Sequence, residues 1–173
     1  MISALLVATL AAIPWAQPVR FERLPGWRTS SSGTVYTATL SDGTKIPLRE
    51  PESMAWISNV GYRDPPTADP PPRTLQRIAD SRRGVVVFAL IEPRWIAPGT
   101  RTIRLKLGRA RHFLCCDNVV PSSYVSSWEL SGADPHRSYY VMVRIYLPLA
   151  PSTRVVRDAR HALAALRLPL PKR

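Results

Sequence analysis

Lysine is almost missing from this chain: of 24 basic residues only 3 are lysine. Acids number 12, half as many as the bases, so the formal net charge is +12. A coding bias would exchange lysine for arginine, but it would not double the bases over the acids. Cysteine is scarce too, with 2 in 173 residues, adjacent as Cys115-Cys116. That excludes a disulfide-stapled scaffold and the CxxC spacing of a zinc or thioredoxin-type site. Neighbouring strand residues point to opposite faces, so the two sulfurs are not expected to bond each other. One is expected in the core, and export would leave the other able to pair between molecules. Gly26, Gly33, Gly43 and Gly61 are too dispersed for a phosphate-cradling loop. The chain also lacks an apolar run long enough to be a comfortable membrane span.

The longest such run, Ile2–Ile13, carries no charge and has the length of a signal-peptide core, with Ala16 at a position suited to cleavage. Against that reading, no basic residue precedes the run and Pro14 stands close to the cut. The expectation is a leader or N-terminal anchor over 1–16 and one domain over 17–173, exported or envelope-associated; the alternative is a cytoplasmic protein whose N-terminus packs inside the domain. The length suits one well-cored domain.

What is present reads as α+β: a single domain with an antiparallel sheet packed by a short central helix and a C-terminal amphipathic helix. Val19–Leu24 reads as a short strand and Thr29–Gly33 as a flexible turn. Thr34–Leu40 and Lys45–Arg49 read as a hairpin around Ser41-Asp42-Gly43-Thr44, because Gly43 accepts positive φ. Glu52–Val60 fits a helix or a strand. Gly61–Pro72 is proline-rich and reads as a spacer, with polyproline recognition as the alternative. Arg73–Arg82 has helical spacing. Val85–Ile91 is apolar on both faces and is expected to be the central strand.

Thr102–Leu107 alternates, with Ile103, Leu105 and Leu107 inward and Arg104 and Lys106 outward. Gly108 then shifts the phase through a bulge or turn. Tyr124–Leu130 reads as a strand and Gly132–His136 as a turn. The most strongly patterned stretch is Ser138–Leu168. Its strand, Tyr139–Leu147, sets Val141, Val143 and Ile145 on one face and Tyr140, Met142, Arg144 and Tyr146 on the other. Its helix, about Thr153–Arg167, has Ser152 as N-cap and a stripe of Val155, Val156, Ala159, Ala162, Leu163 and Leu166. Arg154, Arg157, Arg160 and Arg167 fall on its flank.

The element order, opening on Phe21-Glu22-Arg23-Leu24-Pro25-Gly26-Trp27 and closing on the helix that ends Leu163–Pro169, resembles the PsbP-like fold. That resemblance implies helices covering an antiparallel sheet, in a fold that includes non-catalytic exported proteins.

No motif specifies a reaction. A hydrolase could draw on Ser122, Ser123 or Cys116 as nucleophile, His112 or His136 as base, and Asp117 or Asp134 as orienter, but no nucleophile elbow accompanies them. Cys115, Cys116, His112 and Asp117 have zinc-ligand chemistry without zinc-ligand spacing. Glu92 and Glu129 stand at strand ends, where a glycosidase acid could sit. No cofactor is implied. The charge invites an anionic partner: lipid, envelope polymer or, in the alternative reading, nucleic acid, with Tyr140 and Tyr146 stacking bases beside Arg144. The residues singled out for that contact are Arg104, Lys106, Arg109, Arg111, Arg144, Arg154, Arg157 and Arg160.

Overall fold

Runs rich in β-branched and aromatic residues become strands, and the two segments with helical spacing become helices. The structure, a computed structural model, describes residues 19–34, 37–39, 44–47, 52–61, 70, 72–93, 96–113, 125–136 and 138–169. The expected leader, the proline-rich segment over 62–69 and both cysteines lie outside the described residues. In chain order the elements are β1 (Arg20–Phe21), β2 (Arg28–Thr34), β3 (Thr37–Thr39), β4 (Lys45–Pro47), β5 (Glu52–Ser58), α1 (Pro72–Ser81), β6 (Val86–Pro93), β7 (Arg111–Phe113), β8 (Val125–Asp134), β9 (Tyr139–Pro148), α2 (Thr153–Ala164) and β10 (Leu166–Arg167). A 3₁₀ turn, Leu107–Arg109, precedes β7.

Six strands form one antiparallel sheet in the order β2-β5-β6-β9-β8-β7, while β3 pairs β4 and β1 pairs β10. The domain is α+β, with β6 in the sheet's interior. Val86, Val87, Phe88 and Ala89 are buried, as a strand apolar on both faces requires.

The helices take opposite faces. Val155, Ala159, Ala162 and Leu163 of α2 pack in one cluster with Ala55, Ile57, Val87, Ala89, Val141, Val143 and Ile145. Leu75 and Ile78 of α1 pack on the reverse face with Val86, Val125 and Tyr146. Ser152 caps α2, its Oγ accepting from the Val155 amide at 3.4 Å.

Four local expectations need correction, and one ambiguity resolves. Thr29–Gly33 is not a turn: it lies within β2, paired with β5 from Arg28↔Ser58 to Thr34↔Glu52. Small hydroxyl residues suit an edge strand whose ladder is all main chain. The Glu52–Val60 ambiguity resolves as strand β5. Residues 102–106 have the expected sidedness but no ladder: Ile103, Leu105 and Leu107 pack against the core, yet only the Ile103 amide reaches the sheet edge, donating to the Ala133 carbonyl at 2.8 Å. Gly132–Asp134 continues β8, and the reversal falls later, where Ser138 takes a φ of 54°. Finally, α2 stops at Ala164 rather than Arg167, because Leu166 and Arg167 pair with Phe21 and Arg20. Arg167 is held there by Glu22, with Nε to Oε1 at 2.7 Å.

Candidate anion-binding groove

The site is a consequence of how the sheet ends. Strand β8 is ten residues long, but among the described residues its outer neighbour β7 has three and covers Ser127–Glu129. The chain before β7 leaves the edge, turning through the 3₁₀ turn towards α2, and returns to β8 only at Ile103. Gly132 permits that return: a Cβ there would stand 3.3 Å from the Cβ of Ile103. Between the two contacts a groove of about 560 Å³ opens, floored by Glu129–Gly132.

Its walls are basic. Arg101 and Arg104 come from one side and Arg109 and Arg111 from the other. All four are exposed. His112 lines the same wall and packs edge-on against Trp128, ring centroids 5.4 Å apart. Glu129 is the one carboxylate among the described lining residues. It is bound to Arg144, Nε to Oε2 at 3.1 Å, and the Arg144 guanidinium also lies 5.0 Å from the Phe113 ring centre. Sheet register explains this cluster: Arg111, Glu129 and Arg144 are successive cross-strand partners on one face.

The eight residues expected to meet an anion therefore separate. Arg104, Arg109 and Arg111 line the groove. Lys106 and Arg160 flank a smaller recess of about 290 Å³ on the other side of the 3₁₀ turn, with Leu105, Leu107 and Leu163. Arg154 and Arg157 are exposed on α2 and line neither. Arg144 is half-buried and is engaged by Glu129 and Phe113. Of the residues not singled out, Arg101 was visible in the same basic run. Ser131 was not visible, because its exposure depends on where β7 stops.

The other chemistries fare differently. Tyr146 has no exposed surface and packs edge-on against Phe113 at 6.2 Å, so it is not available to stack a base. Ser122, Ser123, Cys116 and Asp117 lie outside the described residues. Among the described residues no serine hydrogen-bonds His112 or His136, and no three His, Cys, Asp or Glu side chains gather as metal ligands. Among the described residues no helix is long and apolar enough to cross a membrane. No protein-family model, curated protein or solved structure matches the chain, so the resemblance to the PsbP-like fold rests on element order and the Leu24-Pro25-Gly26-Trp27 opening.

Proposed function

We propose that this is a non-enzymatic protein, exported or held at the cell envelope, that contacts an anionic lipid surface or envelope polymer through its basic margin. The observation that carries the reading is the grouping of cations. Four arginines line one groove in which Glu129, the one carboxylate among the described lining residues, is already paired, and Lys106 and Arg160 continue the positive margin beyond the 3₁₀ turn. Such a margin concentrates anions at the surface and steers them to it. The uncharged run Ile2–Ile13 supports placement outside the cytoplasm.

The test is co-sedimentation with vesicles. Phosphatidylglycerol-containing vesicles should retain the protein and pure phosphatidylcholine vesicles should not. Equal retention on both would refute the reading, and none on either would refute a lipid surface as the partner. Preferential binding to duplex DNA or RNA over anionic vesicles at the same ionic strength would favour the nucleic-acid alternative.

A further inference from the structure

The floor of the groove has a feature that charge alone does not require. In an antiparallel ladder the amide and carbonyl of one residue point to the same edge, and alternate residues share that edge. Ala133 accepts from Ile103 on the outer edge of β8, and the β8–β9 register runs without interruption from Val125 to Asp134. Ser131 and Glu129 therefore present their main-chain groups to the same outer edge. Arg111 stands opposite Glu129. Among the described residues nothing hydrogen-bonds the main chain of Ser131 on that outer edge, and the residue is exposed.

The opening is short. From Glu129 to Ala133 is roughly 14 Å at a strand rise of about 3.4 Å per residue. Both ends are occupied, so about half of that is free at Ser131. This is too little for an added strand and suits one compact group. The edge offers a donor, the Ser131 amide, and an acceptor, the Ser131 carbonyl, with a hydroxyl beside them. Around these stand arginines, whose planar forks bind phosphate oxygens in pairs. A carboxylate has two oxygens to share among these donors; a phosphate monoester has three free oxygens, and a phosphodiester has two free oxygens set tetrahedrally beside two ester oxygens, so either presents acceptors in more directions than a planar carboxylate. The carbonyl would repel a bare anion but accepts from a hydroxyl carried beside the phosphate. The groove volume of about 560 Å³ also exceeds what a lone phosphate fills.

We infer that the open rung at Ser131, between Arg104 and Arg111, is a binding site for a phosphorylated polyol: a phosphate ester with a neighbouring free hydroxyl. A glycerol-type lipid headgroup and a soluble polyol phosphate share that chemistry. The inference rests on the anion-contacting reading and names the ligand class for it.

The experiment is amide NMR of the full chain, titrated separately with glycerol phosphate and with short-chain phosphatidylglycerol below its micelle concentration. The site predicts a saturable shift of the Ser131 amide. A shift with glycerol phosphate shows that the soluble ester suffices; a shift with the short-chain lipid alone assigns the site to the headgroup. Inorganic phosphate should bind about tenfold more weakly than whichever ester binds. Arg104→Gln combined with Arg111→Gln should weaken ester binding at least tenfold, while Arg73→Gln, exposed on α1, should leave it within twofold. Ser131→Pro removes the amide donor and should abolish binding; if that variant fails to fold, the arginine pair still decides. No saturable shift with either ester, or an equal loss in Arg73→Gln, overturns the site. Vesicle retention without a Ser131 shift would sink the site and spare the surface reading. A Ser131 shift with glycerol phosphate but no vesicle retention would do the reverse.

Discussion

Two arginines in this chain can have opposite consequences when substituted, because the partner and the burial decide and the letter does not. Arg144 and Glu129 leave only 21% and 27% of their side chains exposed and lie 3.1 Å apart. Removing one member of a pair this screened from water leaves the other poorly solvated. Arg104 and Arg111 are exposed, and their loss should change stability by no more than about 0.5 kcal/mol. Glu129 gives a test with opposite signs. Glu129→Gln removes the carboxylate between Arg111 and Arg144, so urea denaturation should show a loss of about 1 kcal/mol. Vesicle titration of the same variant should show tighter binding, because the groove loses its one described negative charge. Weaker binding would mean that Glu129 positions the arginines rather than opposing them. The alternation of residues 102–107 was enough to say that Arg104 and Lys106 face outward. It carried no sign of which basic side chain would meet a carboxylate, since that pairing is set by the β8–β9 register, which depends on where the reversal after Asp134 falls.

At the scale of elements, α2 was legible almost throughout. Its stripe has the period of a helix, and Ser152 supplies the acceptor that the first-turn amides need. Ser152→Ala should cost about 1 kcal/mol in a denaturant titration; no change would mean that water caps the helix equally well. Leu163 is 5% exposed and belongs to the main core cluster. Leu163→Ala should cost about 2–4 kcal/mol for lost burial and the cavity left behind. Leu163→Asp adds a charge with no partner among the apolar side chains and should leave the protein unfolded or insoluble. A soluble Leu163→Asp protein with an unchanged melting curve would contradict the packing of α2 on the sheet. Legibility failed where an element depends on a distant partner. Leu166 continues the helical stripe and Arg167 its basic flank in sequence, but β1 recruits both as a strand. Thr29–Gly33 has turn composition, but β5 supplies the ladder that makes it an edge. The groove belongs to this second kind, because it exists only where β7 ends and residues 104–110 leave the sheet.

At the scale of the whole molecule, the open question is whether the net charge of +12 acts as a diffuse field or through one place. The two differ in their response to salt and substitution. The screening length falls from about 10 Å at 0.1 M to about 3 Å at 1 M ionic strength. A diffuse field spread over the surface would weaken steeply between those limits, and any one exposed arginine would matter little and equally. A groove with guanidinium forks and a main-chain donor keeps its short contacts when the long-range field is screened. Vesicle binding by the native protein should therefore fall with salt but retain a component at 1 M, and Arg104→Gln with Arg111→Gln should remove that component. Arg154→Gln with Arg157→Gln should instead lower only the low-salt binding, because those side chains are exposed on α2 and line neither the groove nor the smaller recess. Identical salt curves for the two double variants would assign binding to net charge. In that case the arrangement at the end of the sheet would owe its basic residues to composition and not to a ligand.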